Sequence, residues 1–332
     1  MVGRKTQTKL SSRLQTFTIP PQQGKMRLDK FLADHIANIS RAQLQLLIKA
    51  GTITINGEKT KAGHAVMPGE IIHIDIPPKP PSELIPQDLP LQIIYEDEYL
   101  VVVDKPGGMV VHPAYGHRTG TLANALLHHF KNVSLLDEAR PGIVHRLDKD
   151  TSGLLVVARD ERTHAALSEQ FRAKTTQREY LAVVCGIPKP KRDTISSFLT
   201  RSTKDRRKIV VSLKEGKWAV THYEVAEKFR LHALLRVRLE TGRMHQIRVH
   251  MAHRGHPVFG DPTYEGRKGQ LQGLNVADTR FVVDLLENFP RQALHARTLG
   301  FVHPATGESL SFKSSLPADM EGLLQALRAQ RE

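Results

Sequence analysis

Residues 142–155 read Gly-Ile-Val-His-Arg-Leu-Asp-Lys-Asp-Thr-Ser-Gly-Leu-Leu and are the first place to look for chemistry. An apolar pair, Ile143 and Val144, enters a polar turn holding Arg146, Asp148, Asp150, Thr151 and Ser152. Gly153 then opens an apolar run expected to be a buried strand. A carboxylate on a loop positioned by a rigid sheet suits a catalytic group. Arg146, two residues before Asp148, would neutralise its charge. Taken one at a time, these residues read first as a capped turn, with Asp148 and Asp150 accepting backbone amides.

The other reactive side chains are histidines, 17 in all. His245, His250, His253 and His256 cluster, and helical spacing would put His250 and His253 on one face. Asp261 is the only nearby carboxylate and no cysteine is close, so the ligand set of a zinc site is incomplete. Contact with RNA phosphate or bases is the better expectation for these histidines. The chain has no G-x-x-x-x-G-K-[ST], no G-x-G-x-x-G after a strand and no H-E-x-x-H. ATP hydrolysis and dinucleotide chemistry lose most of their support, and neither metal nor cofactor is expected.

The chain carries 48 Lys and Arg against 34 Asp and Glu, a formal charge of +14 over 332 residues. Such a balance favours a polyanionic partner, nucleic acid before anionic membrane. Residues 201–217 concentrate it. Arg201, Lys204, Arg206, Arg207, Lys208, Lys214 and Lys217 face only Asp205 and Glu215, and the segment reads as a basic hairpin for RNA contact. A solvated loop is the alternative. Aromatics are only 5%, which argues against sugar-binding sites built from stacked rings. The single cysteine, Cys185, excludes an internal disulfide and suits a reducing cytoplasm. No apolar run reaches a membrane span, and the N-terminal MVGRKTQTKLSSRLQ is not a secretory signal.

These side chains need elements to hold them. Residues 1–24, with Arg4, Lys5, Lys9 and Arg13 and no acid, are expected to form a mobile basic arm. In residues 25–76, Leu28, Phe31, Leu32 and His35 or Ile36 have helical spacing. Ser40 would cap a second helix with Leu44, Leu47 and Ile48 on its face, and Gly51 would stop it. Thr52 to Ile55, the Asn56-Gly57 turn, the Pro68-Gly69 turn and alternating Ile72, Ile74 and Ile76 then make a small hairpin unit. Residues 77–86 hold five prolines and read as a stiff linker.

Residues 87–332 read as one α+β domain with a mixed, mainly antiparallel sheet. Strands are expected at Leu100–Val103, Gly153–Ala158, Tyr180–Val184 and around Leu235, Val237 and Leu239. In the last of these Arg236 and Arg238 would make a wet, basic face. Helices are expected around Leu122 to His129, around Leu167 and Phe171 after a cap at Asp160, and around Met320 to Leu327 with Pro317 at the start.

The segment His145-Arg-Leu-Asp-Lys-Asp-Thr-Ser-Gly153 resembles the signature of the RluA/RluD-type pseudouridine synthases. Gln177-Arg-Glu-Tyr-Leu-Ala182 is similar to the family's tyrosine motif. Thr241-Gly-Arg-Met-His-Gln-Ile-Arg-Val-His-Met251, followed by Gly260-Asp-Pro-Thr-Tyr264, is similar to its third motif, and Leu294-His-Ala-Arg297 to a late segment. Residues 25–76 resemble the small RNA-binding domain named for ribosomal protein S-four, with Arg41, Lys49, Lys59 and Lys61 near its turn. The arm and the insert at 266–284 are not covered.

The resemblance implies a catalytic role for Asp148, with Tyr180 stacking on the base and aiding proton transfer and Arg248 pairing with the carboxylate. It implies an RNA substrate, with large-subunit ribosomal RNA or a pre-ribosomal particle the first expectation and tRNA the alternative. RNA contacts would come from Arg146, Arg243 and His245, from Arg41, Lys49 and Lys59, and from Arg206 and Arg207. A target uridine would be swung out of its stack before reaction, and a monomer is expected. A non-catalytic RNA-binding factor that kept the synthase fold is the rival from another class.

Overall fold

A computed structural model describes residues 14–36, 41–75, 84–114, 116–130 and 141–330. The chain divides into two compact units, Met1–Glu83 and Leu84–Glu332. Of the expected linker, residues 77–83 lie outside the described residues, as does the expected cap Ser40.

The first unit holds β1 (Leu14–Thr18), β2 (Met26–Arg27), α1 (Leu28–His35), α2 (Arg41–Ala50), β3 (Ile53–Ile55), β4 (Glu58–Lys59), β5 (Ala65–Val66) and β6 (Ile71–Asp75). Leu28, Phe31, Leu32, Leu44, Ile48, Ile53, Ile72 and Ile74 form its core. Asn56 and Gly57 both have positive φ, 51° and 85°, the geometry of a tight hairpin turn whose twist matches the strands. The mobile arm expected over residues 1–24 is corrected for its second half. Residues 14–18 pair antiparallel with β6, and the following Ile19 is fully buried. The open edge of β6 satisfies the arm's backbone, and Phe17 and Ile19, two apart, give it an apolar anchor. Arg4, Lys5, Lys9 and Arg13 lie outside the described residues.

The second unit holds β7 (Gln92–Glu96), β8 (Leu100–Lys105), α3 (Leu122–His129), β9 (Ser152–Ala158), α4 (Glu161–Ala173), β10 (Gln177–Cys185), β11 (Arg192–Arg201) and β12 (Ile209–Ser212). It continues with β13 (Lys217–Lys228), β14 (His232–Leu239), α5 (Gln246–His253), α6 (Val276–Asn288), β15 (Leu294–Val302), β16 (Ser309–Lys313) and α7 (Ala318–Ala329). One sheet runs β12-β11-β13-β14-β10-β15-β9-β8-β7, with β16 added on β15. Every pair is antiparallel except β9 with β15.

Side chains alternate along β10 and so feed two cores. Tyr180, Ala182 and Val184 join Val157, Leu235, Ile247 and Met251 on one face. Leu181, Val183 and Cys185 join Phe259, Val282, Phe289, Leu323 and Leu327 on the other. The insert at 266–284 therefore leads into α6, which packs on the second face beside α7, with Asn275 capping its N-terminus. Asp160 caps α4 as expected, accepting from the amides of Arg162 and Thr163.

Candidate active site

Three chain segments meet on the Tyr180 face: the turn before β9, strand β10, and the turn that opens α5. They line one cavity of about 420 Å³ with Asp148, Tyr180, Arg248, Arg146, Arg243 and His245 among its walls.

The turn before β9 is held by side chains that reach its backbone from elsewhere. Lys105 Nζ donates to the carbonyl of Lys149 at 3.1 Å and to those of Pro106 and Met109. Arg291 Nη1 donates to the carbonyl of Asp150 at 3.0 Å, and Gln292 Nε2 to the hydroxyl of Thr151 at 3.2 Å. Ser152 Oγ is 3.0 Å from His295 Nδ1. The capped-turn reading is thus corrected. Among the described residues the carboxyl groups of Asp148 and Asp150 accept no backbone amide, because Lys105, Arg291 and Gln292 already fix the turn. Gly153 follows with φ 116°, and a Cβ there would lie 2.2 Å from the carbonyl oxygen of Ala296. Only glycine lets β9 approach β15 this closely after the turn.

Asp148 is neutralised by Arg248, not by Arg146. Arg248 Nη1 donates to Asp148 Oδ2 at 2.9 Å, while Arg146 is exposed and has no ion pair among the described residues. Arg248 is itself forked onto fully buried Asp261, Nε to Oδ2 at 2.6 Å and Nη2 to Oδ1 at 2.9 Å. Asp261 Oδ1 also accepts from the amides of Thr263 and Tyr264. Burial alone would lower the Arg248 pKa, but Asp261 and Asp148 outweigh it and hold the guanidinium above its usual range. Tyr264 lies under the guanidinium, 5.2 Å from ring centroid to Cζ. The second oxygen, Asp148 Oδ1, accepts no protein hydrogen bond among the described residues.

Tyr180 is 8% exposed and lines the cavity from β10. Burial raises its phenol above the usual 10, with Arg178 opposing and Asp148 adding, so it is a neutral donor at pH 7. His245 opens α5 in the left-handed region at φ 56° and bonds the Tyr264 hydroxyl at 2.8 Å. Burial lowers its pKa, so the ring is a neutral part of the wall. Arg243 is exposed at the same turn. The turn is tied down by Gln246, whose Oε1 accepts from the amide of Arg243 and from Thr241 Oγ1.

The remaining expected RNA contacts are not among the residues that line this cavity. In the first unit Arg41 is bound to buried Asp29 at 3.0 Å with half its side chain exposed, and Lys49 and Lys59 are exposed. In the second, Arg207 pairs with Asp205 at 3.0 Å, and Arg206 is exposed in the loop between β11 and β12. Of the histidine cluster, His250 is fully buried between Thr221 and Ser197, and His256 bonds the carbonyl of Cys185. No group of three or more His, Cys, Asp or Glu among the described residues could hold a metal.

Sequence reasoning missed Asp261, Lys105 and Arg291. Asp261 was visible inside Gly260–Tyr264 but weighed only as a metal ligand. Lys105 was signalled only by its place two residues after the apolar run Leu100–Val103, at the end of the same strand. Arg291 had no signal, since its role is to reach across space to a turn over a hundred residues earlier.

Residues 99–253 match the family model described as RNA pseudouridylate synthase, and residues 26–72 match that of the S4 domain. The chain is 44% identical over 314 residues to the Pseudomonas aeruginosa protein named ribosomal large subunit pseudouridine synthase D, covering 95% of this chain and 96% of that one. It is 43% identical over 312 residues to the Bacillus subtilis uncharacterized RNA pseudouridine synthase YlyB, covering 94% and 97%. Among solved structures it is similar to human RNA pseudouridylate synthase domain containing 4, with a TM-score of 0.55 and 28% identity over 71% of this chain and 93% of that one.

Proposed function

The chain belongs to the RNA pseudouridine synthase family and isomerises uridine in RNA, and from that premise we propose that its substrate is large-subunit ribosomal RNA and that Asp148 is indispensable to the reaction. In this isomerisation the bond from N1 to C1′ breaks and one from C5 to C1′ forms. The hydrogen on C5 leaves as a proton and N1 gains one. Atoms and electrons balance without oxidant, metal or nucleotide.

A uridine stacked in folded RNA is out of reach, so it swings into the cavity, which has room for one nucleoside. Asp148 Oδ1 acts at the ribose, as nucleophile on C1′ or as base, while Arg248 fixes the other oxygen and Asp261 fixes Arg248. Tyr180 packs its ring on the swung-out base and passes a proton at the sugar through its neutral hydroxyl. Arg146, Arg243 and His245 meet phosphate or sugar at the cavity mouth. Arg206 and Arg207 extend that contact along the second unit, and Arg41, Lys49 and Lys59 add affinity from the first. The protein acts as a monomer in the cytoplasm, where pre-ribosomal RNA is met.

The observation that carries the reading is the buried Asp261–Arg248 fork that delivers one cation to Asp148 beside Tyr180. The ribosomal substrate is supported by relatives bearing that name over nearly the whole chain. The test is to incubate the protein with unmodified large-subunit rRNA and with unmodified bulk tRNA, then map pseudouridine by mass. Conversion at discrete rRNA positions is expected. Conversion of tRNA alone would overturn the substrate, and tight binding without conversion of either would make the protein a non-catalytic RNA-binding factor.

A further inference from the structure

We propose that the open sheet face around Trp218 is a stacking platform for an unpaired RNA base flanking the target uridine; this rests on the RNA reading above. Trp218, the only tryptophan, lies near the start of β13 and is 44% exposed. It stands directly across from Phe198 in the β11–β13 pair, with ring centroids 5.0 Å apart and the rings tilted 67°. Opposite residues of an antiparallel pair share a face. Val210, 37% exposed, continues that face on β12, the last strand of the sheet.

The reverse face of the same strands is closed. Leu199, Ile209 and Ala219 are buried together with Val249 and Tyr264. The aromatic pair is therefore not needed to fill that core, and half of the indole stays in water at a cost that a stacked base would remove. The surroundings select the occupant. Lys204 and Arg206 are exposed on the turn that follows β11, and Arg201 and Lys217 are exposed at the strand ends, in register with the other face. An aromatic platform flanked by cations is the chemistry that holds single-stranded nucleic acid, with stacking on the ring and phosphates on the charges.

The platform is also wired to the cavity. Arg243, which lines the cavity, donates its Nε to the carbonyl of Trp218 at 3.1 Å. Two residues on, the amide of Val220 donates to Thr241 Oγ1 at 3.0 Å, and its carbonyl accepts from Gln246 Nε2 at 2.9 Å. The strand carrying Trp218 is thus fastened to the turn that leads into Arg248. Trp218 and Phe198 stand on the face of the sheet opposite Tyr180, so an RNA strand with its uridine at Asp148 and a phosphate at Arg243 reaches the indole by rounding the start of β13.

The lone tryptophan makes the test direct. The full chain is titrated with a fluorescein-labelled RNA fragment that it modifies, and indole emission is followed beside the anisotropy of the RNA. Quenching that saturates with the anisotropy is expected. Trp218→Ala is expected to weaken binding roughly five- to hundredfold and to raise KM far more than it lowers kcat, whereas Trp218→Phe keeps most of the affinity. RNA that binds and is converted without quenching would overturn the platform and leave the function standing. So would wild-type affinity in Trp218→Ala. Indole emission that changes with protein concentration alone, tracking sedimentation of a dimer, would assign the face to a second copy instead. Failure of the wild type to bind or convert RNA would remove both readings.

Discussion

Arg248 serves two carboxylates that are not equivalent. Asp148 is 18% exposed at its side chain and meets the cavity, whereas Asp261 is fully buried and takes two of the arginine's nitrogens. Removing Asp261 leaves a guanidinium in a dry site with half its compensation gone, a change that costs about 3–5 kcal/mol. Asp261→Asn should therefore lower the denaturation midpoint and also lower kcat, because Arg248 no longer holds its position against Asp148. A denaturation curve and a turnover number on the same preparation check this. An unchanged kcat would mean that Asp148 needs no fixed partner. At this scale the sequence was informative where chemistry is local to a motif. Asp148, Tyr180 and Arg248 were each visible in their own segment and do converge. Arg146 looked the natural partner only because it is near in sequence; the turn instead sends it to the surface, and the charge comes from a hundred residues away.

Between the turn and strand β9 stands Gly153, and the element depends on it. A methyl at this position would meet the Ala296 backbone and would demand φ 116° of an ordinary residue. Gly153→Ala is expected to cost roughly 2 kcal/mol or more. Thermal denaturation measures the loss, and kcat should fall with it because the β9–β15 contact sets the height of the Asp148 turn. A stable, fully active Gly153→Ala would show that the turn is positioned by Lys105 and Arg291 alone. Most strands were legible because β-branched runs and period-two alternation are intrinsic to one segment, as in β8, β9 and β14. The strand at 14–18 was not, since the arm is polar overall and its order comes from the free edge of β6. Strand order was hidden as well. The parallel pairing of β9 with β15 joins segments separated by most of the second unit, and no local pattern reports it.

For the whole molecule, buried neutral histidines set an acid limit on stability. His250 is fully buried, and burial, then His253, lowers its pKa from 6.5 to about 4. His295 is 1% exposed, and burial, then Arg291 and Arg297, lowers its pKa to about 4. The unfolded chain takes up these protons near 6.5, while the folded one holds off until about 4. The unfolded state thus binds more protons across that window, and stability must fall as pH drops through it. The melting temperature should decline from about pH 6.5 to about pH 4, and less steeply in His250→Gln. A flat profile in the wild type would contradict the buried neutral state. The two-unit plan followed from the proline-rich stretch and the change in pattern around it, and the +14 charge pointed to a polyanion before any motif did. Composition names a class of partner and no particular RNA, which is why the substrate has to be measured.

The central claim is that Asp148 breaks the glycosidic bond of a uridine which then rejoins through C5. Since C5 must lose its hydrogen for that bond to form, RNA labelled with tritium at C5 of uridine reports the reaction directly. Wild type should release tritium from large-subunit rRNA. Asp148→Asn should bind the same RNA and release tritium roughly 10³-fold more slowly or not at all. Release by Asp148→Asn at the wild-type rate would contradict the account, whatever else the protein bound.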